Sequence, residues 1–246
     1  MDRLELTARA QRGHFWFRGF RRFLDDGLRR ALQGRRDGRI LDCGCGTGAN
    51  LALLGRYGRV WGFDLSPVGL AHARETGRPL VRADLTRMPF RDGAFDVVTS
   101  FDVFQMLPDD RLALEEMTRV VRPGGTVVFS AAALEALRGD HSAVWEEQRR
   151  YTPAMMRALV AGAGLDLVDV RFLFASLAPL MFVARAAQRR FPRREGPRPD
   201  SDIRVPPAPL NALLTAILAA EAAVGGRLPM PFGSSLLVTA RKPGLL

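Results

Sequence analysis

The sequence predicts an α/β fold with a parallel sheet and helical crossovers. Three observations predict it. Short apolar runs recur between residues 39 and 131 and end on small or acidic side chains. Segments with helix-start and helix-stop signals separate them. A bare glycine loop follows the first run directly.

The elements follow in order. Residues 15–32 read as a basic, partly amphipathic helix. Strands are predicted at Arg39–Cys43, Val60–Asp64, Pro79–Ala83, Phe95–Ser100 and Thr126–Ala131, with helices at about 48–56, 66–76 and 109–120. Ser66 is an N-cap and Pro67 a first-turn proline. "RPGG", Arg122–Gly125, reads as a stop and turn before the next strand. Thr152 caps a helix that Pro153 starts and Gly162 and Gly164 stop, and "DLVDVRFLF" follows as a strand. Residues 189–209 hold six of the sixteen prolines and read as a linker. Asn211–Val224 reads as an apolar helix and Ser234–Lys242 as a closing strand. Residues 1–36 are therefore expected to form a helical cap, and 37–246 the main domain with an insertion at about 175–232.

Composition narrows the partners. The net charge of +10 would suit nucleic acid, but its distribution does not. Residues 1–36 hold ten Arg against four acids, and 185–204 hold seven Arg against three acids. The rest balances, so no nucleic-acid partner is expected. The two basic flanks point instead to an anionic substrate or a membrane surface, or simply to an arginine-rich composition. Export and a transmembrane helix are not expected, because the N-terminal stretch lacks a signal-type apolar core and no uncharged run reaches about 18 residues. Cys43 and Cys45 are the only cysteines, too few for a zinc site and too close for an unstrained disulfide. A reducing cytoplasm and no metal are expected.

The glycines at 44, 46 and 48, behind Asp42, raise the functional question. Such a loop between strand and helix lets a ligand approach the backbone beside a helix start. Its G-x-G-x-G spacing is one residue shorter than the dinucleotide fingerprint, and no phosphate-cradling P-loop is present. Asp64 ends the next strand, twenty residues after Gly44, where a carboxylate can accept both hydroxyls of a ribose. Asp84 ends the third, where it could accept from an adenine amino group, with the Leu85 backbone and Met88 lining the ring.

With "ILDCGCGTG", "GFDLS", "ADLTRMPFRDGAFDVVTS" and "LEEMTRVVRPGG" in this order, the chain resembles the class I S-adenosylmethionine-dependent methyltransferases, and among them the bacterial small-molecule subgroup. The resemblance spans residues 38–131 and extends more loosely to the closing strand. It implies a doubly wound, Rossmann-like, seven-stranded sheet with the last strand antiparallel. It implies S-adenosylmethionine as cofactor and S-adenosylhomocysteine as product. Carried over by position, Asp42, Cys43, Gly44, Gly46 and Gly48 hold the methionine part, Asp64 with Leu65 the ribose, and Asp84 with Leu85 the adenine. Ser100 opens the segment that runs beside the cofactor. The helix of residues 15–32 either packs on the sheet edge or acts as a lid, with Arg18 or Arg22 pairing the cofactor carboxylate.

Methyl transfer needs a positioned acceptor in a dry pocket, and a base only if the acceptor must lose a proton. Candidate catalytic groups are Asp102, His141 and Glu147. Related enzymes often carry a histidine before "RRY"; this chain has Glu146 and Glu147 there. The acceptor is expected to be a small molecule, lipid-like or an anionic intermediate. A nucleobase amino group is not expected, because Ser100–Phe104 lacks the N/D-P-P-Y/F pattern. The insertion either packs ordinarily, caps an apolar substrate or rests on a membrane. The alternatives are an NAD(P)-dependent oxidoreductase, which the glycine spacing and Asp84 disfavour, and a non-catalytic cofactor-binding module.

Overall fold

The computed structural model describes residues 3–34, 37–190, 204–225 and 228–244. Seven strands form one sheet: β1 (Gly38–Cys43), β2 (Gly58–Asp64), β3 (Leu80–Arg82), β4 (Phe95–Phe101), β5 (Val121–Ala132), β6 (Asp166–Leu173) and β7 (Ser235–Arg241). Their order is β3-β2-β1-β4-β5-β7-β6. The first five run parallel, and β7 is antiparallel to both β5 and β6. This is the predicted doubly wound sheet with its antiparallel last strand. The strand order reverses between β1 and β4, so their carboxyl ends flank a crevice, the usual ligand position in such sheets.

The helices are α1 (Arg3–Ala10), α2 (Phe15–Leu32), α3 (Leu51–Leu54), α4 (Pro67–Ala73), α5 (Asp110–Val120), α6 (Asp140–Val144), α7 (Pro153–Gly162), α8 (Ala178–Arg190) and α9 (Ala208–Gly225). Alternating side chains along the strands feed two cores. Leu41, Val98, Val127 and Phe129 pack with Leu114 and Met117 of α5 and Met156 and Val160 of α7. Ile40, Val60, Val97 and Val128 face the other side, under Phe20, Leu24 and Leu28 of α2, Leu51 of α3 and Leu218 of α9. So α2 covers a sheet face, not only its edge. Its approach to α9 is close, because a Cβ on Gly19 would stand 2.5 Å from Leu218 Cδ1.

Some elements differ from expectation. "RPGG" does not end before β5 but forms its first residues, and the β4–β5 register shifts between Phe95 and Val97. The segment is held there from the far end of the chain. Gly124 N–H donates to Lys242 O at 2.9 Å, and Lys242 Nζ donates to Thr118 O and Val121 O. The helix expected at 48–56 shrinks to α3; Asn50 precedes it with no side-chain cap bond. Helices α1 and α6 were not expected, and the insertion's apolar stretch became α8. Residues 191–203 of the predicted linker lie outside the described residues.

Candidate cofactor and acceptor site

The site starts with Asp42, nearly the last residue of β1. It is 2% exposed, and Thr99 Oγ1 on β4 donates to its Oδ1 at 2.8 Å. Burial pushes its carboxyl up to about 7, and the neighbouring Asp64 adds to this. The folded chain therefore binds a proton that the unfolded chain releases near pH 4. The sign follows: this contribution is present at low pH and is lost as pH rises from about 4 through about 7. Asp42→Asn should raise stability at pH 8 by up to about 4 kcal/mol and change little near pH 4. Denaturant titration at both pH values checks it; an equal difference at both would contradict the buried charge.

The loop behind Asp42 turns by left-handed backbone at Gly44 (φ +71°) and Gly46 (φ +51°). Gly44 N–H and Cys45 N–H both donate to Phe63 O at 2.9 Å, locking the loop to β2. A Cβ on Gly44 would stand 2.6 Å from Val103 Cγ2, so the loop also fits tightly against the segment after β4. Gly46 is different. A Cβ there would meet only Leu4 Cδ2, at 3.8 Å. That open face is where a ligand can reach the backbone. Cys43 and Cys45 are unpaired with each other, and burial raises both thiols. They fill space as small side chains.

Asp64 organises the next part. Its Oδ2 accepts from Gly46 N–H at 2.7 Å and its Oδ1 from Ser66 N–H at 2.8 Å. Each oxygen keeps acceptor capacity, and the residue is only half-buried. One carboxylate thus sets the glycine loop and can still receive two hydroxyls. Leu65 beside it is 60% exposed, an apolar surface at the crevice rim. Asp84 is exposed, and its Oδ1 accepts from Thr86 N–H and Thr86 Oγ1, which turns the chain after β3. The side chains of Leu85 and Met88 are buried in the core. The open glycine face, the exposed leucine and the two strand-end carboxylates fit an adenosine bearing an amino-acid tail.

After β4, Ser100 is buried and donates to Cys43 O at 2.9 Å, bridging β4 to β1. Asp102 then takes a left-handed conformation, φ +55°. Its N–H donates to Ser130 Oγ at 3.0 Å and its Oδ1 accepts from the same hydroxyl at 3.0 Å. Burial pushes its carboxyl up to about 6, with Glu147 raising and Arg150 lowering it. Sequence reasoning named Asp102 and Glu147 separately, and the fold brings them together. Glu147 is engaged, however. Arg150 Nε donates to its Oε2 at 3.0 Å, with side chains 6% and 2% exposed, and Arg150 Nη1 donates to Ala133 O. Glu147 and Arg150 thus form a buried ion pair whose charges act on Asp102. His141 lies on α6, its ring centroid 6.0 Å from Trp145.

The N-terminal residues contribute more than the sequence signalled. α1 lies across the glycine loop: Leu4 packs near Gly46 and Gly69, His72 Nε2 meets Glu5 Oε2 at 2.9 Å, and Thr47 Oγ1 donates to Gln11 Oε1. A cavity of about 370 Å³ opens between α1, the loop and α2, lined by Arg9, Arg12, Arg21, Thr47 and Gly48 among others. The arginine of α2 that lines it is Arg21, whose Nη2 donates to Gln11 O at 3.0 Å; Arg22 is exposed. The only advance signal for α1 was a short amphipathic stretch, "LELTARA". Gln105 was also missed; its Nε2 donates to Asp102 O and its backbone O receives Gln148 N–H, tying the two halves of the acceptor side. Among the described residues, no three His, Cys, Asp or Glu side chains group as a metal site.

Comparison with known proteins places this geometry. Residues 41–129 match a family model described as a methyltransferase domain. A malonyl-[acyl-carrier protein] O-methyltransferase of Erwinia pyrifoliae is 37% identical over 131 residues, 50% of this chain and 49% of that protein. A demethylmenaquinone methyltransferase of a Mycobacterium species is 34% identical over 125 residues, 50% of this chain and 54% of that protein. The chain thus spans about half the length of the curated relatives it matches. Among solved structures, the [4+2]-cyclase SpnF superposes with a TM-score of 0.58 over 90% of this chain and 80% of its own, at 21% identity. That likeness shows the fold alone, and chemistry must be argued from the site. The matched segment begins within the buried strand that carries Asp42 and takes in every strand-end carboxylate described above, so residues 41–129 of this chain are similar to methyltransferase domains.

Proposed function

We propose that this chain is an enzyme that moves the methyl group of S-adenosylmethionine to a small-molecule acceptor, leaving S-adenosylhomocysteine. The observation that carries the reading is Asp64, which holds the open glycine face through Gly46 N–H while keeping acceptor capacity for a diol. Asp42, Cys43, Gly44, Gly46 and Gly48 would hold the methionine part, Asp64 and Leu65 the ribose, and Asp84 with the Leu85 backbone the adenine. Ser100 fixes the floor between β1 and β4. The carboxylate partner expected from α2 falls to Arg21 rather than Arg22, since Arg21 lines the cavity beside Gly48.

The cofactor supplies an activated methyl carbon. The protein's part is to orient the acceptor, exclude water and, where the acceptor must lose one, take a proton. Asp102 suits the last task. With its carboxyl near 6 it is ionised at neutral pH yet close to the operating range. Relatives named for malonyl-acyl-carrier-protein and demethylmenaquinone methylation support a small acceptor, anionic or lipid-like. No nucleic-acid partner belongs to this reading. Two free buried cysteines go with a reducing, cytoplasmic setting.

Asp64→Ala should weaken binding of S-adenosylhomocysteine about ten- to a hundredfold, 1.5–3 kcal/mol. Equal affinity of the wild type for S-adenosylmethionine and its 2′-deoxy analogue would contradict the diol contact. The function itself is tested by incubating the protein with methyl-labelled cofactor and a host metabolite extract. One labelled small product is expected, absent with Gly46→Val. Label found only in nucleic acid or protein would overturn the small-acceptor reading.

A further inference from the structure

Two helices of the insertion expose faces that are apolar throughout. On α9 the exposed residues include Leu210 (47%), Leu213 (57%), Ile217 (36%) and Val224 (46%), with alanines between them. Spaced i, i+3, i+7 and i+14, the four form one stripe along about 21 Å of helix. The only charged residue of α9, Glu221, is buried and accepts from Ala175 N–H and Ser176 N–H. On α8, Leu180 (66%), Phe182 (49%) and Val183 (64%) are exposed, and the helix ends with exposed Arg189 and Arg190. Exposed Arg204 precedes α9, and neither helix has an exposed acid.

Water does not favour such a surface. A helix apolar all round belongs in a core or in lipid. Among the described residues, α9 is the one helix long and apolar enough to cross a bilayer, with mean hydropathy 1.5. It is not free to do so. Thr215, Leu218, Glu221 and Ala222 are buried against the fold, Leu218 against Gly19 of α2. Asn211 is tied at both ends of its amide, accepting from Phe15 N–H and donating to Gly13 O, each at 2.9 Å. Only the outer stripe is left to meet lipid.

We propose that the outer faces of α8 and α9 dock this protein on an anionic lipid bilayer, with apolar residues entering the interface and Arg189, Arg190 and Arg204 meeting the headgroups. Among the described residues, the exposed charges of α8 and α9 and of Arg204 beside them are all arginines, and an apolar stripe so edged is complementary to an anionic membrane, where both terms add. A second copy of the same face would set arginine against arginine. The placement has a consequence. Arg189 Nη1 donates to Ala136 O and Arg138 O, just beyond the carboxyl end of β5, and the start of α9 is tied to the turn before α2, beside the α1 that covers the glycine loop. The docked surface therefore borders the edge of the sheet that carries Asp102 and Asp64. Docking would bring a bilayer-resident amphiphilic acceptor to that edge. Only this last clause rests on the methyl-transfer reading; the docking does not.

The test is flotation of the full chain with phosphatidylcholine vesicles, with and without an equal share of phosphatidylglycerol, in the absence of cofactor and acceptor. Binding is expected to the mixed vesicles and to fall at least about tenfold on pure phosphatidylcholine or at high salt. The fourfold variant F182E/V183E/L213E/I217E should lose flotation while keeping its thermal transition and its affinity for S-adenosylhomocysteine. R189Q/R190Q/R204Q should float about tenfold more weakly on mixed vesicles. Wild-type protein that stays with the buffer, or a fourfold variant that floats equally, overturns the proposal. So does a wild-type dimer, seen by light scattering without lipid, that the fourfold variant converts to monomer. Loss of S-adenosylhomocysteine binding in unaltered protein would instead strike the cofactor reading and leave docking standing.

Discussion

Gly46→Val is expected to abolish binding of S-adenosylmethionine and S-adenosylhomocysteine, a loss of more than about a thousandfold, or ~4 kcal/mol. Two effects add. The backbone at Gly46 has φ +51°, a region that a β-branched residue enters only with strain. The new methyl groups would also project from the one face of the loop that no neighbour fills, where only Leu4 stands near, at 3.8 Å from the added Cβ. The loop cannot yield easily, since Gly44 and Cys45 are hydrogen-bonded to Phe63 and Gly46 to Asp64. The global fold should survive, because the strain is confined to a surface loop. Calorimetric titration of a variant with an unchanged thermal transition checks the expectation. Affinity within about threefold of the wild type would remove the glycine face from the site.

Glu147→Ala should cost about 3–5 kcal/mol of stability. The reason is the partner left behind. Arg150 is held under the surface with its Nε and Nη2 on Glu147, and only its bond to Ala133 O would remain. An uncompensated buried guanidinium is far costlier than the net worth of the pair. Glu147→Gln keeps an acceptor for Arg150 and should lose distinctly less. Denaturant titration of both variants decides it. A loss under about 1 kcal/mol in Glu147→Ala would mean that water reaches Arg150 readily and that the pair is not held dry.

The sequence disclosed those parts of the molecule whose physics is local. Asp42, the alternate glycines and Asp64 could be read because strand, turn and strand follow within about 25 residues. The Ser66–Pro67 and Thr152–Pro153 helix starts were legible for the same reason: in both, the cap hydroxyl accepts an N–H three residues on. What escaped depends on distant contacts. The RPGG segment joins β5 because Lys242 and Gly124 meet across the end of the chain. Asp102 and Glu147 stood as separate candidates because only the fold sets Ser130, Gln105 and Arg150 around them. Arg22 and Arg21 are neighbours in sequence, but one helical position turns one outward and the other toward the cavity. That the side chains of Leu85 and Met88 both enter the core likewise depends on strands and helices far away in sequence.

The central claim is that the glycine loop, Asp64 and Asp84 form an adenosyl site for a methyl donor. Calorimetric titration of the unmodified chain with S-adenosylmethionine, S-adenosylhomocysteine and NAD(H), side by side, tests it most directly. Saturable one-to-one binding of the two adenosyl amino acids in the micromolar range, with no heat from NAD(H), is the predicted result. Binding of NAD(H) with none of the methyl donor or its product would contradict the account.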